Sequence, residues 1–183
     1  AVIGSNSFSG ASFVRFVLDK GHSVTGFSRS QEPNDVFLPY RWSENMKDRF
    51  HFEKTDLNHD LKKTVAMLAE EKPTHIVNFS ALGMVAQSWK KPEDWYQTNV
   101  VGQVKLHDRL RKLDFLTKYV HVTTPEVYGS MNNWASESFN FNPSTPYAVS
   151  RAACDYHLKS VFEAYKFPVV FTRSLCGAIA VTW

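Results

Sequence analysis

Short apolar segments rich in β-branched residues alternate along the chain with longer segments whose apolar positions repeat every three to four residues. The short segments predict six strands, at Val2–Gly4, Ser23–Ser28, His51–Asp56, His75–Ala81, Tyr119–Thr124 and Val169–Arg173. The longer segments predict four helices, at Gly10–Lys20, Leu61–Lys72, Trp95–Leu113 and Pro146–Tyr165. This alternation is typical of repeated βαβ units. It predicts an α/β fold with a doubly wound parallel sheet, a Rossmann fold with helices on both faces.

Composition narrows the class of protein. The 183 residues, of which 43% are hydrophobic, suit one domain with its own core. A net charge of +3, with basic residues scattered among acidic ones, argues against a nucleic-acid binder. No apolar run approaches the roughly 18 residues of a membrane span, so we expect no membrane partner and a cytoplasmic location.

Cysteine and histidine usage gives two further expectations. Cys154 and Cys176 are far apart and form no CxxC pair, which favours free thiols in a reducing compartment. The seven histidines show no ligand-like clustering along the sequence, so we expect no metal site.

Glycine and small residues separate the first predicted strand from the first helix. Gly4 and Gly10 occupy positions where a dinucleotide-binding turn needs glycine, and Ser7 fills the middle position of a GxxGxxG spacing. A helix N-terminus attracts a pyrophosphate through its free N–H groups. The predicted phosphate-binding residues are Gly4, Ser7, Phe8, Ser9 and Gly10. The alternative is an ordinary strand-to-helix turn, which glycine also favours.

The end of the second strand bears on the choice of cofactor. An NAD-binding domain usually places an acidic residue there, against the ribose 2′-hydroxyl. This chain has Ser28, Arg29 and Ser30 instead, and an arginine between two hydroxyls suits a 2′-phosphate. We therefore expect NADP. If Arg29 is only a solvated loop residue, the cofactor is NAD.

The octapeptide "STPYAVSR" places Tyr147 four residues before Arg151 at the predicted start of a helix. Side chains four residues apart lie on the same helix face. A free tyrosine has a pKa of about 10 and is a poor base at neutral pH unless a nearby cation favours the phenolate. The pair is either an acid/base group beside a fixed cation or two residues that share a surface.

Several motifs in a fixed order resemble the extended short-chain dehydrogenase/reductase family, which includes the nucleotide-sugar epimerases and dehydratases. The resemblance runs to about Ser174. It rests on the glycine turn, on Asp56-Leu57, and on the segments "NFSALGMVAQSWKKPEDWYQTNVVGQ", "VTTPEVYGS" and "NPSTPYAVSR". It implies an enzyme that uses a nicotinamide cofactor and a nucleotide-diphosphate sugar.

The resemblance also implies catalytic roles. Tyr147 exchanges a proton with a sugar hydroxyl, and Arg151 stands where the family has a lysine. Thr124 hydrogen-bonds the reacting hydroxyl. Glu126 matches the glutamate that removes the C5 proton in 4,6-dehydratases, whereas plain 4-epimerases usually have a small or apolar residue there. Pro125 cannot donate a proton, so Glu126 or water acts as the acid. The alternative for Glu126 is a loop carboxylate satisfied by its neighbours.

Further positions carry over by the same resemblance. Asp56 and Leu57 are expected near the adenine, and Ser88 near the substrate. Asn99 matches an asparagine that packs behind the active site, or else it is a polar residue that stabilises its helix. The expected nicotinamide-side cofactor contacts are Phe79, Ser80, Ala81, Thr123, Tyr147 and Arg151.

We expect residues 1–174 to form the dinucleotide-binding domain and 175–183 to be the start or remnant of a substrate-binding portion that is otherwise absent or incomplete. The family commonly dimerises through two helices per subunit, here Trp95–Leu113 and Pro146–Tyr165. The expected function is an NADP-dependent nucleotide-sugar 4,6-dehydratase. The alternatives are a 4-epimerase, a reductase of small carbonyl compounds, and a catalytically silent NADP sensor.

Overall fold

The computed structural model describes residues 1–42, 48–130 and 136–173 of the chain. Six strands form one sheet in the order β3-β2-β1-β4-β5-β6. β1 pairs in parallel with both β2 and β4, and β2 pairs in parallel with β3. This order confirms the predicted doubly wound parallel sheet. The strands are β1 Val2–Ile3, β2 Val24–Ser28, β3 Phe50–Lys54, β4 His75–Asn78, β5 Lys118–Val122 and β6 Val169–Thr172.

Helices separate most of these strands. Three short 3₁₀ turns, Asp35–Phe37, Pro39–Arg41 and Pro125–Tyr128, occupy loops after β2 and β5. The α-helices are α1 Phe8–Asp19, α2 Leu61–Glu71, α3 Val85–Ser88, α4 Pro92–Tyr96, α5 Gln103–Leu110 and α6 Pro146–Tyr165.

The predicted strands are too long at their carboxyl ends. The sequence predicts β4 as far as Ala81 and β5 as far as Thr124, whereas the structure ends them at Asn78 and Val122. The apolar pattern continues past each strand because the following loop residues are also partly buried. The predicted bounds of α6 are confirmed at both ends.

The segment predicted as one helix over Trp95–Leu113 is interrupted. Its first part is α4, its last part is α5, and the residues between them, Gln97–Gly102, form a π-helical turn. Such a turn inserts an extra residue into a helix and is frequent at functional sites. The amphipathic pattern predicts the helix but not the change of hydrogen-bond register, which depends on contacts described below.

The chain divides into two compact units. The first contains residues 1–80 and 113–120, and the second contains residues 81–112 and the chain from residue 121 onward. In the first unit, α1 packs on the sheet through Ala11, Val14 and Leu18, which are all fully buried. In the second unit, Leu106 and Leu110 of α5 and Leu158 of α6 are fully buried.

Within the described residues, no helix combines the length and the apolar character that crossing a membrane requires. The predicted domain boundary at residue 174 and the second cysteine, Cys176, lie outside the described residues.

Candidate active site

The turn between β1 and α1 requires glycine at two positions. Gly4 has a φ of +83°, and a Cβ there would lie 2.9 Å from the backbone nitrogen of Ser80. A Cβ on Gly10 would lie 2.2 Å from the carbonyl oxygen of Gly4. Because both distances are shorter than any normal carbon contact, the turn keeps its shape only with glycine at both places. The two glycines that the sequence singles out are therefore structural requirements of this turn.

Ser7, at the middle position of the spacing, caps α1. Its hydroxyl accepts a hydrogen bond from the Gly10 N–H at 3.0 Å and donates one to the Gly4 carbonyl oxygen at 2.8 Å. In the described residues, the N–H groups of Phe8 and Ser9 have no hydrogen-bond partner. The Phe8 side chain is 78% exposed. Two first-turn donors thus remain available to an anion at the positive end of the helix dipole.

The three residues predicted around a 2′-phosphate differ in what they do. Ser28 is buried, and its hydroxyl accepts a hydrogen bond from the Asn6 N–H at 3.0 Å. The Ser30 carbonyl oxygen accepts one from the Asn6 side-chain amide. The Arg29 side chain is exposed and pairs with no described residue. The side chains of Arg29 and of the exposed Ser30 are therefore available to a ligand, while the Ser28 hydroxyl and the Ser30 carbonyl oxygen shape the loop through Asn6, which the sequence analysis did not single out.

The remaining predicted cofactor residues of the first unit follow β3 and β4. Asp56 accepts a hydrogen bond from the Asn58 N–H in a local turn, and Leu57 is buried. Phe79 is partly buried, with its ring 5.6 Å from the ring of Phe13. Ser80 is held by the Asn78 side chain, which accepts hydrogen bonds from both its N–H and its hydroxyl. Ala81, at the start of the second unit, is exposed.

Tyr147 lies in the first turn of α6 in the second unit. Thr145 caps this helix by accepting a hydrogen bond from the Ala148 N–H at 3.1 Å, and Pro146 occupies the first helical position. Both features are strong helix-start signals. The Tyr147 side chain is half-buried, and its hydroxyl makes no hydrogen bond to a described residue. The phenol is therefore fixed by its helix and free to bind a ligand.

Thr124 and Glu126 lie in the 3₁₀ turn after β5. The Thr124 side chain is buried and accepts a hydrogen bond from the Glu126 N–H at 3.3 Å. The Glu126 carboxylate is exposed, and no described residue donates a hydrogen bond to it or pairs with it. Within the part of the chain that the structure describes, no neighbour satisfies the Glu126 carboxylate, and its role stays a prediction. Thr123, just before, is buried, and its N–H binds the Thr172 carbonyl oxygen.

Arg151 points into the protein interior. Its side chain is 1% exposed, and its Nη2 donates to the carbonyl oxygen of Val122 and lies 3.3 Å from Nε2 of His121. Its Nε and Nη1 atoms have no partner among the described residues. No hydrogen bond joins Arg151 to the Tyr147 side chain. A buried cation with unused donors is costly, and at 1% exposure these donors are enclosed by protein.

Ser88, predicted near the substrate, is fully buried. Its hydroxyl donates to the Val85 carbonyl oxygen at 2.6 Å and accepts from the Tyr147 N–H at 3.2 Å. Because its hydroxyl is engaged on both sides within the protein, Ser88 positions Tyr147. Direct substrate contact by Ser88 remains a prediction that this burial disfavours.

Asn99 and Ser150 complete the support of Tyr147. The Asn99 side chain, buried in the π-helical turn, binds both the N–H and the carbonyl oxygen of Leu82, at 2.8 and 3.0 Å. It also donates to the Ser150 hydroxyl at 3.0 Å, which in turn donates to the Tyr147 carbonyl oxygen at 2.7 Å. This geometry agrees with the predicted place of Asn99 behind the site. The sequence analysis does not identify Ser150. Its spacing of three residues after Tyr147, which places both on one helix face, is the signal that could have found it.

Three of the histidines, which show no ligand-like clustering along the sequence, lie close together in the structure. The rings of His107 and His157 stack with centroids 5.7 Å apart, and the ring of His121 meets that of His107 at 5.9 Å. Cys154 is a free, buried thiol whose Sγ lies 3.7 Å from Nε2 of His121. His107, His121 and the α6 pair Cys154 and His157 come from three elements that are far apart in sequence, so the sequence gives no sign of their proximity.

Comparison with known proteins agrees with this architecture. The sequence model of the family described as GDP-mannose 4,6 dehydratase matches residues 2–175. A dTDP-glucose 4,6-dehydratase from Xanthomonas campestris pv. campestris is 28% identical, with 94% of this chain covered and 51% of the relative. A dTDP-glucose 4,6-dehydratase from Haemophilus influenzae is 29% identical, with 94% and 54% covered.

Solved structures show the same fold. A UDP-N-acetylglucosamine 4-epimerase from Methanobrevibacter ruminantium, in complex with UDP-N-acetylmuramic acid, superposes with a TM-score of 0.79 at 28% identity, covering 94% of this chain and 53% of that one. The dTDP-glucose 4,6-dehydratase DesIV from Streptomyces venezuelae, with NAD bound, gives 0.79 at 27% identity, covering 94% and 54%. This chain spans about half the length of the relatives it matches.

The glycine turn, the sheet order and the tyrosine at the start of α6 define a dinucleotide-binding protein of the extended short-chain dehydrogenase/reductase type, as the sequence motifs predict. Because the family match covers residues 2–175, the chain belongs to the GDP-mannose 4,6 dehydratase family, whose relatives include nucleotide-sugar dehydratases and epimerases.

Proposed function

We propose that the protein is a nucleotide-sugar 4,6-dehydratase. The observation that carries this proposal is the state of Glu126, an exposed carboxylate without a partner among the described residues, fixed in a short turn directly after Thr124. An elimination needs a base beside the carbon that a neighbouring ketone has made acidic. An epimerase has no use for such a base.

In the proposed reaction the cofactor supplies a reversible hydride acceptor. Tyr147 takes the proton of the C4 hydroxyl as the C4 hydride leaves, with Thr124 holding the hydroxyl. Glu126 then takes the C5 proton, and the C6 hydroxyl leaves as water after receiving a proton from Glu126 or from solvent. Return of the hydride to C6 and of a proton to C5 gives a 4-keto-6-deoxy sugar, so the net change is the loss of one water.

The residues present fit a nicotinamide dinucleotide. The free N–H groups of Phe8 and Ser9 suit a pyrophosphate. We propose NADP as the cofactor because the exposed Arg29 side chain has no partner among the described residues and offers a fork for a 2′-phosphate. NAD, which is bound in the DesIV structure, is the competing cofactor.

The experiment is incubation of the full-length protein with dTDP-glucose, GDP-mannose and UDP-N-acetylglucosamine, with product analysis by NMR. The proposal expects a 4-keto-6-deoxy product from at least one of them. Glu126→Gln is expected to lower its formation by about 10²- to 10⁴-fold while transient reduction of the nicotinamide persists. The matched control is Glu93→Gln, which changes an exposed carboxylate of α4. Cofactor binding without turnover of any sugar nucleotide would instead mark a silent sensor.

A second candidate function is 4-epimerisation, favoured by the likeness to the 4-epimerase from Methanobrevibacter ruminantium. It requires Tyr147 and Thr124 but leaves Glu126 without a task. In that case the product is the C4 epimer, and Glu126→Gln has little effect on its rate. If the protein instead reduces a small carbonyl compound at a rate that Glu126→Gln does not change, it is a reductase.

We further propose a homodimer formed through the α4–α5 segment and α6. Val101 and Val149 on these helices are 40% and 38% exposed, and such a dimer would cover both. Sedimentation of the full-length protein tests this, and a monomer at micromolar concentration contradicts it. Val149→Glu is expected to convert the dimer to a monomer.

A further inference from the structure

A cluster of metal-ligand side chains lies in the second unit and includes none of the residues assigned to the reaction. It consists of His107 on α5, His121 on β5 and Cys154 on α6, and all three are completely buried. Their ligand atoms, one per residue, all lie within 4.8 Å of one another. Ordinary packing in a dry interior does not require three potential metal ligands this close together.

The spacing of the atoms matches a coordination shell. Zinc binds imidazole nitrogen at about 2.0–2.1 Å, thiolate sulfur at about 2.3 Å and carboxylate oxygen at about 2.0–2.2 Å, in tetrahedral geometry. The corresponding tetrahedral edges are about 3.6 Å for nitrogen to sulfur and about 3.4 Å for nitrogen to oxygen. In the structure, Nε2 of His121 lies 3.7 Å from Sγ of Cys154 and 3.5 Å from Oδ1 of Asp155.

Asp155 lies beside the cluster, with its Oδ1 3.5 Å from Nε2 of His121. Its side chain is completely buried, and its Oδ2 is bound by Arg173 at 3.1 and 3.3 Å. Its Oδ1 has no hydrogen-bond partner among the described residues. A buried carboxylate oxygen without a donor is unfavourable, and a cation beside it removes that cost. This oxygen is an observation independent of the three clustered ligands.

The protonation states of the two imidazoles and the thiol bear on metal binding. Burial holds the pKa of both His107 and His121 well below the usual value, so both imidazoles are neutral at neutral pH. Burial raises the pKa of Cys154 to about 12, so its thiol is protonated without a metal. Metal coordination deprotonates such a thiol outright, and binding then releases a proton.

The nearby Arg151 guanidinium limits the affinity of this site for a metal ion. The Arg151 guanidinium approaches the same nitrogen of His121, with Nη2 at 3.3 Å, so a metal there displaces this contact. Arg151 keeps its hydrogen bond to the Val122 carbonyl oxygen. The thiolate and the Asp155 carboxylate offset the charge of a divalent ion, while the guanidinium groups of Arg151 and Arg173 oppose it. The site is therefore expected to bind more weakly than a closed structural zinc site.

From the three clustered ligands, the matching nitrogen-to-sulfur distance and the unpartnered carboxylate oxygen beside them, we propose that His107, His121 and Cys154 form a buried zinc site. Mixed imidazole and thiolate ligands select zinc over magnesium, calcium and manganese. The stacked ring of His157 fixes the plane of His107 from outside the shell.

The test uses the full-length protein, reduced and stripped of metal with a chelator. Zinc is titrated in competition with a chromophoric chelator, and cobalt replaces it for spectroscopy. The proposal expects one ion per chain, release of about one proton per ion, and a thiolate-to-cobalt charge-transfer band with ligand-field bands of a four-coordinate ion. A chain that binds no zinc at micromolar concentration overturns the proposal, whatever the variants do.

Variants locate the ion. Cys154→Ser is expected to abolish the charge-transfer band, whereas Cys176→Ser, which changes the other cysteine, leaves it intact. His107→Gln is expected to weaken zinc binding by more than the roughly 100-fold that loss of an outer-shell partner costs. The matched control is His51→Gln, whose side chain is 60% exposed. A band that survives Cys154→Ser and disappears with Cys176→Ser also overturns the proposal.

Discussion

The Ser88 hydroxyl accepts a hydrogen bond from the backbone N–H of Tyr147, with Oγ and N 3.2 Å apart. The first N–H groups of a helix have no partner within the helix. Here one of them is satisfied by a side chain from the end of α3, so a residue 59 positions earlier sets where the first turn of α6 lies. The proposed acid/base residue is thus held by its backbone, while its phenol remains free.

Replacement of Ser88 by alanine tests this positioning. Ser88→Ala is expected to lower kcat by about tenfold with little change in KM, because small displacements of a reacting group are costly. The free energy of unfolding should fall by only about 1 kcal/mol. Ser88→Thr, which keeps the hydroxyl, should restore most of kcat, and the exposed Ser160→Ala is the control. Equal losses in kcat for the alanine and threonine variants would contradict the positioning role.

Arg151 variants test the need for a cation beside Tyr147. Arg151→Met removes the charge, and kcat is expected to fall by at least about 100-fold, as for loss of acid/base assistance. Arg151→Lys keeps the charge at a position that the family fills with lysine, and should stay within about tenfold of the wild-type rate. Steady-state kinetics and circular dichroism of both variants make the comparison. A fully active Arg151→Met would remove Arg151 from the mechanism.

Arg29 is expected to determine the preference between the two dinucleotides. Arg29→Ala should weaken NADP binding by about fivefold to tenfold, the loss of one exposed charge-assisted contact, and leave NAD binding unchanged. Fluorescence titration of the full-length protein measures both dissociation constants. The control is Lys20→Ala, an exposed cation at the other end of α1. A preference for NAD in the wild type, unaltered in Arg29→Ala, would refute the assignment.

Gly10 and Gly83 offer a matched pair of alanine substitutions that tests how much the glycine turn contributes to the free energy of unfolding. Gly10→Ala places a Cβ 2.2 Å from the Gly4 carbonyl oxygen, so the turn must move, and the free energy of unfolding should fall by about 1–3 kcal/mol. Gly83→Ala introduces a Cβ with nothing within 4 Å and should be nearly neutral. Urea unfolding of the two variants measures the difference. Similar midpoints would show that the turn relaxes without cost.

The sequence predicts best what is encoded locally. The start of α6 follows from Thr145 and Pro146 and is found at the predicted residue. The sheet order follows from the alternation of strands and helices. In the sequence, Ser7 stands out only because it replaces an expected glycine. Its role as a helix cap becomes visible only when the positions of Gly4 and Gly10 in space are known.

Relationships between distant residues escape such analysis. His121 and Cys154 are separated by 33 residues, and neither stands in a ligand-like motif. The inward direction of Arg151 also depends on the strand beside it, because its partner is a carbonyl oxygen of β5 that every residue type provides. A tyrosine and a cation four residues apart therefore share a helix face by spacing without being joined by a hydrogen bond.

The π-helical turn Gln97–Gly102 makes this stretch sensitive to chain length. Loss of one residue there would restore the ordinary helical register and rotate the positions on one side of the deletion by about 100° relative to those on the other. The amide of Asn99 would then no longer face both backbone groups of Leu82 and the hydroxyl of Ser150. During evolution this segment can therefore change by substitution at positions other than Asn99. Single-residue insertions and deletions, which surface loops tolerate readily, would disrupt it.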